Sequence, residues 1–130
     1  MILSIEQLSI SSKEKKIVDH VSLSINEGEW FALVGQSGSG KSLLSQAIGQ
    51  LIPSNLKAAG KIIFKGQDIT HLKGEDLRSL RRSMQIIFQD PYASLNPRMT
   101  VGSIIGEPLV IHKLFDSKKD RLDRVKQLLE

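Results

Sequence analysis

Residues 35 to 42 read Gly35-Gln36-Ser37-Gly38-Ser39-Gly40-Lys41-Ser42, between the apolar run Trp30-Phe31-Ala32-Leu33-Val34 and a run of helical period. No other stretch limits the fold as strongly, because G-x-x-x-x-G-K-S works as a turn that carries the chain from a strand into a helix. The turn-like Asn26-Glu27-Gly28-Glu29 launches the apolar run, and an uninterrupted run of that kind suits a strand buried on both faces. Beyond the loop, Leu43, Leu44, Ala47, Ile48, Leu51 and Ile52 recur at helical spacing until Pro53 forbids continuation. Strand, loop and helix in this order predict an α/β fold.

The residue types in the loop suit one chemistry. A triphosphate is held by unpaired backbone N–H groups aimed from a tight turn at the N-terminus of a helix. Gly35, Gly38 and Gly40 permit positive φ and close backbone approach, Lys41 reaches the β and γ oxygens, and the Ser42 hydroxyl can ligate Mg²⁺. The candidate ligand-binding residues are therefore Gly35, Gln36, Ser37, Gly38, Ser39, Gly40, Lys41, Ser42 and Leu43. The competing explanation, a flexible Gly/Ser loop with a chance lysine, does not account for the strand and helix patterns on its two sides.

Composition removes other classes. The 130 residues are 40% hydrophobic, enough for one core. A net charge of +4 arises from 18 basic and 14 acidic residues, which invites a nucleic-acid reading. The basic residues are spread, however: Arg78, Arg81 and Arg82 stand without aromatic neighbours and the run from Lys113 to Lys126 is mixed in sign, so solvated faces explain them and no nucleic-acid partner is expected. There is no cysteine, hence no disulfide and no thiolate metal site. His20, His71 and His112 lack the spacing of a metal site or a catalytic triad. No stretch approaches the roughly 20 apolar residues that cross a bilayer, and no secretory leader is visible. The expected location is cytoplasmic, with any membrane link made through partners.

Along the chain, residues 2 to 10 and 17 to 25 alternate with period two around the polar stretch Ser11 to Lys16, which predicts an antiparallel pair. A further strand is expected over Lys61 to Lys65, a short helix over Glu75 to Ser83 with its arginines facing water, and a strand over Met84 to Phe88. Gln89 to Arg98 carries Pro91 and Pro97 and reads as a loop. Val101 to His112 can be helical, with Pro108 kinking or ending it. Asp116 or Ser117 can cap a last helix with Leu122, Val125, Leu128 and Leu129 on one face.

The phosphate loop, followed by Ile86-Ile87-Phe88-Gln89-Asp90-Pro91, resembles the nucleotide-binding subunit of an ATP-binding cassette (ABC) transporter. Phe88-Gln89-Asp90-Pro91-Tyr92-Ala93-Ser94-Leu95-Asn96-Pro97-Arg98-Met99-Thr100-Val101 is similar to the version in oligopeptide, dipeptide and nickel importers. The resemblance implies a P-loop NTPase fold of ABC ATPase type: an antiparallel β-subdomain, the start of a RecA-like core and the start of a helical subdomain. Residues 1–89 would form the β-subdomain and core, and 90–130 the Q-loop and the beginning of the helical part. It implies ATP and Mg²⁺ as ligands, Lys41 and Gln89 as catalytic residues, and Ser42 with Gln89 at the metal. An amide suits the Gln89 post because it donates and accepts without adding charge.

The same resemblance implies an ATP-binding subunit that energises import of peptides, or of a related solute such as nickel, on the inner face of the cell membrane. Its partners would be a second ABC ATPase subunit, membrane permease subunits and, indirectly, an extracellular solute-binding protein. The chain is similar to the first half of the family domain. It holds no Leu-Ser-Gly-Gly-Gln signature, no Walker B run of four apolar residues followed by Asp-Glu, and no switch histidine, since His112 precedes the place where the signature would fall. The implied consequence is weak Mg-ATP binding and little or no turnover by this polypeptide alone. Lys15, Lys16 and Ile17 fill the neighbourhood where many members stack adenine on an aromatic ring. Residues up to about Asp68 resemble the first of the two ATPase subunits of peptide importers and Arg78 onward the second, so ordinary variation and a hybrid gene both fit, as do a natural and an artificial stop at Glu130. Two other classes stand beside this one: a non-hydrolysing nucleotide-binding fragment, and another P-loop enzyme such as a kinase or GTPase, although no Asn-Lys-x-Asp run occurs.

Overall fold

A computed structural model describes residues 1–90 and 92–130; Pro91, in the expected loop after Gln89, lies outside the described residues. The chain divides into two compact units, Met1–Ile86 and Ile87–Glu130.

The first unit is built on an antiparallel sheet. Strands β1 (Leu3–Ser11) and β2 (Lys16–Ile25) pair across a turn in which Ser12 N–H donates to the Lys15 carbonyl at 2.8 Å. The Ser12 hydroxyl fixes the same turn by accepting from Lys15 N–H at 3.0 Å. Strand β3 (Lys57–Phe64) lies on the other edge of β1, and the short β4 (Gln67–Asp68) follows through Lys65 and Gly66, both at positive φ. That is the backbone hand a two-residue hairpin loop requires. The strand order is β2-β1-β3-β4. The alternation in residues 2 to 10 and 17 to 25 thus becomes an antiparallel pair, as expected, and the strand expected over Lys61 to Lys65 starts earlier, at Lys57.

Register places Leu3, Ile5, Leu8 and Ile10 of β1 on one face with Val18 of β2 and Ile62 of β3, and all six are buried. Leu44 and Ala47 of helix α1 (Lys41–Ile48), Ile69 and Leu80 of helix α2 (Gly74–Ser83) complete this core. One residue of β3 controls the register. At Gly60, φ is +113°, and a Cβ there would lie 2.6 Å from the Gln7 carbonyl oxygen and 2.7 Å from Leu8 Cα, where the β1–β3 ladder slips between Glu6 and Ser9. Only a residue without a side chain lets the two backbones meet so closely.

Helix α1 stops at Ile48, ahead of Pro53. Leu51 N–H donates to the Gln46 carbonyl at 2.8 Å and Gln50 N–H to the Ala47 carbonyl at 3.1 Å, the paired closure of a Schellman end. Gln50 takes the left-handed position at φ 54°. Helix α2 keeps Arg78, Arg81 and Arg82 exposed, as expected, with Glu75 and Asp76 in its first turn and two of the arginines in its last, matching the helix dipole.

Two expected strands are not formed. Trp30 to Val34 and Met84 to Phe88 form no regular structure and have no ladder partners among the described residues, and Trp30 is 99% and Val34 91% exposed. An apolar run suited to the middle of a sheet gains its stability from a neighbour on each side and helices on both faces. The antiparallel sheet has taken the strands that pair, and none of the described ones lies against these runs.

In the second unit, helices α3 (Val101–Ile111) and α4 (Lys118–Leu129) form a pair. Thr100 caps α3 by accepting from Ser103 N–H at 3.2 Å, and Ser117 caps α4 by accepting from Asp120 N–H at 3.0 Å. Asp120 reciprocates by accepting from the Ser117 hydroxyl at 2.7 Å, so of the two expected caps it is Ser117 that serves. Pro108 neither ends nor divides α3: it sits in the last turn, and its carbonyl still accepts from His112 N–H at 3.0 Å. Val125 packs where α3 has glycine; a Cβ at Gly106 would lie 3.5 Å from its Cγ2. Val125 is buried, whereas Leu122, Leu128 and Leu129 remain more than half exposed, so the apolar face expected of α4 is used at one position.

Candidate nucleotide-binding site

The turn at residues 35–42 rises straight into α1. Gly40 is the N-cap, in the left-handed region at φ 91° and ψ 3°, and Gly38 has φ 78°. A side chain at Gly40 would also collide with the sheet, since its Cβ would fall 2.9 Å from Val18 Cγ2 and 3.4 Å from the Ile17 carbonyl. Gly40 is therefore both a conformational hinge and the point at which the loop rests on β2. Ser39 N–H donates to the Gln36 carbonyl at 3.3 Å, which closes the turn. A Cβ at Gly35 would meet the Ser39 hydroxyl at 2.9 Å.

No side chain caps α1. Leu44 N–H is the first to find a helical acceptor, the Gly40 carbonyl at 2.9 Å, so the amides of Lys41, Ser42 and Leu43 are the orphan donors of the first turn. No acidic residue stands in that turn to neutralise the positive helix end. The Lys41 ammonium adds a full charge. It bends back over the loop and donates to the Gly35 carbonyl at 2.7 Å, the Gln36 carbonyl at 2.6 Å and the Ser39 hydroxyl at 3.3 Å. Residues 35–39 and Ser42 are exposed, and Gly40 and Lys41 are half-buried.

The set from Gly35 to Leu43 thus lies on one exposed loop and helix start that carries orphan N–H donors and one ammonium. That donor set fits a polyphosphate. For a divalent cation the loop offers the Ser42 hydroxyl, and among the described residues no cluster of three or more His, Cys, Asp or Glu side chains could hold a metal ion. Such a sparse set suits Mg²⁺, which keeps several waters and takes further ligands from phosphate oxygens.

Gln89 belongs to the second unit, where it is exposed at the head of its loop. Beyond it, Asp90 Oδ1 accepts from Tyr92 N–H at 3.0 Å and Ala93 N–H at 3.2 Å, and Asn96 Oδ1 from Arg98 N–H at 3.0 Å. Lys16 pairs with Asp19 at 2.8 Å, and that ammonium, with His20, holds the Asp19 carboxyl below the usual carboxylate range. Ile17 is the member of the Lys15-Lys16-Ile17 group that stands beside the loop, through its contact with Gly40. Sequence reading missed the Ser39 hydroxyl as a partner of Lys41, because no motif prescribes that side chain. No helix among the described residues is long and apolar enough to cross a membrane.

The G-x-x-x-x-G-K-S loop that opens α1 carries the P-loop pattern of nucleotide-binding proteins, although the strand expected before it is not formed. A family model described as "ABC transporter" matches residues 18–130, and the chain belongs to that family. Over 119 residues it is 47% identical to the oligopeptide transport ATP-binding protein OppF of Streptococcus mutans, covering 92% of this chain and 38% of that protein. Over 114 residues it is 48% identical to the dipeptide transport ATP-binding protein DppF of Lactococcus lactis subsp. cremoris, covering 88% of this chain and 36% of that protein. Among solved structures it is similar to the dimeric post-hydrolysis state of the ATP-binding cassette MJ0796 bound to ADP and Pi, with a TM-score of 0.74 and 25% identity over 97% of this chain and 55% of that one. The chain thus spans less than two-fifths of the length of these curated relatives.

Proposed function

We propose that the chain is the nucleotide-binding part of an ATP-binding subunit that energises import of peptides, or of a related solute such as nickel. The observation that carries this reading is the loop itself, in which Gly38 and Gly40 take left-handed geometry, the first-turn amides of α1 are orphan donors and the Lys41 ammonium lies over the same turn. The names of the relatives, which are transport ATP-binding proteins for oligopeptides and dipeptides, support the choice of cargo.

In this reading the orphan amides of Lys41, Ser42 and Leu43 bind the phosphates, Lys41 neutralises the β and γ oxygens, and the Ser42 hydroxyl contributes to Mg²⁺. Bound Mg²⁺ offsets phosphate charge, and the protein supplies position and fixed dipoles. Ile17, beside Gly40, offers an aliphatic surface near the loop in place of an aromatic ring. The family resemblance assigns Gln89 to Mg²⁺ and the attacking water and to sensing a permease, to which the loop from Gln89 to Met99 couples. A second ATPase subunit and the permease complete the machine, peripheral to the inner face of the cell membrane, with an extracellular solute-binding protein acting through the permease.

The 130-residue chain contains no Walker B Asp-Glu pair and no signature sequence, and this favours a second statement: the polypeptide binds Mg-ATP and turns it over little or not at all. Nucleotide titration with phosphate-release measurement tests both. Lys41→Ala is expected to weaken Mg-ATP binding by at least about tenfold, the scale of a lost charge-assisted hydrogen bond. Turnover at the rate of a complete cassette, abolished by Lys41→Ala, would refute the second statement, and wild-type protein indifferent to Mg-ATP would refute the first.

A further inference from the structure

We infer that Ser39 is a positioning residue that acts through Lys41, its hydroxyl competing with phosphate for one donor of the ammonium. The inference rests on the nucleotide-binding reading above and deepens it. A lysine ammonium has three N–H donors and no acceptor. All are engaged within the loop: by the Gly35 carbonyl at 2.7 Å, the Gln36 carbonyl at 2.6 Å and the Ser39 hydroxyl at 3.3 Å. A phosphate oxygen can form a charge-assisted bond to this ammonium only by displacing one of them.

Geometry selects which. The two carbonyl bonds are short and anchored to backbone, and both acceptors belong to the turn that must persist for the amides to converge. The contact to Ser39 is the longest, and its acceptor is a hydroxyl on an exposed residue, free to rotate about its own χ1. That hydroxyl passes beside Gly35, 2.9 Å from where a Cβ there would stand, on the side of the turn that Lys41 occupies. Serine at position 39 therefore lowers the affinity of the loop for phosphate while keeping the ammonium over the turn.

The test is a double-mutant cycle on the full chain, with the dissociation constant of Mg-ATP measured by calorimetry. Ser39→Ala is expected to tighten binding about fivefold, the scale of one weak hydrogen bond to a charged group. The gain is expected to vanish in a Lys41→Met background, where no ammonium remains to be released, and Ser39→Thr, which keeps the hydroxyl, is expected to return affinity to the wild-type value. A residue that merely shaped the turn would alter affinity equally in both backgrounds. Binding that is unchanged or weaker in Ser39→Ala, or a gain that persists beside Lys41→Met, overturns the inference and leaves the nucleotide-binding reading intact, because the wild type still binds. Wild-type protein that does not bind Mg-ATP overturns both. Far-UV circular dichroism of each variant confirms that the exposed substitutions leave the fold in place.

Discussion

Strand β1 and the segment Trp30–Val34 both carry apolar side chains at strand length, yet they end in opposite conditions. Strand β1 is paired on its two edges, with Ile5, Leu8 and Ile10 each at most 1% exposed, whereas Trp30 and Val34 are almost wholly in water. What separates them is the availability of partners. Alternation lets β1 turn one face to the core and the other to solvent, and it finds β2 and β3 nearby in antiparallel register. The continuous run at 30–34 has no polar face to expose and needs strands and helices around it on every side. The molecule's stability is thus concentrated in the sheet, while the phosphate loop is tethered by a well-paired element on one side, through Gly40 on Val18, and by an unpaired one on the other.

The largest blow to this contrast comes from the sheet. Ile10→Ala, at a fully buried site, should cost about 2–5 kcal/mol in urea unfolding. A loss below 1 kcal/mol would place the stability elsewhere. Gly60→Ala should cost about 1–3 kcal/mol, because the added methyl meets the backbone of Gln7 and Leu8 at a φ unfavourable to alanine. Hydrogen exchange should show the damage confined to the β1–β3 ladder. On the other side of the comparison, Val34→Ser should change stability by no more than about 0.5 kcal/mol, as befits an exposed position without special contacts; a loss as large as that of Ile10→Ala would mean that the segment is packed in solution.

The smallest effect is electrostatic. The Asp68 carboxyl is held below its usual range by hydrogen bonds from the Thr70 hydroxyl, at 2.6 Å, and from the Thr70 backbone, at 2.9 Å. A depressed carboxyl favours the folded state above its unfolded pKa, and that contribution fades as pH falls from about 4 through the lower folded value. A slight decline in unfolding midpoint over this acid range should appear in the wild type and flatten in Asp68→Asn, which keeps the acceptor without the charge. Because the Asp68 carboxyl is exposed, the decline should be small beside that of the core variants.

Local signals were the legible ones. The loop from Gly35 to Ser42 reads directly as a turn into a helix, since glycine's freedom at positive φ and the orphan amides of a first turn depend on neighbours in sequence. The caps at Ser117 and Thr100 belong to the same kind, although Thr100 was overlooked while Val101 was chosen as the helix start. The closure of α1 was misjudged because the left-handed position after it holds Gln50 instead of glycine, and Pro53, the louder signal, lies beyond the true end. The role of Ser39 left no trace in the motif at all. It depends on where the Lys41 side chain lies once the turn has closed.

The sequence by itself determined the phosphate loop, the antiparallel pairing of β1 with β2 and the helical segments around them, because each follows from torsional freedom, periodicity or capping within a few residues. Only the tertiary structure decided that β3 joins the far edge of β1, that Gly60 is the point where two backbones touch, and that Trp30–Val34 goes unpaired. Those outcomes turn on which distant groups arrive to complete a ladder or fill a space, and hydrogen bonding between strands is a property of pairs that no single segment carries.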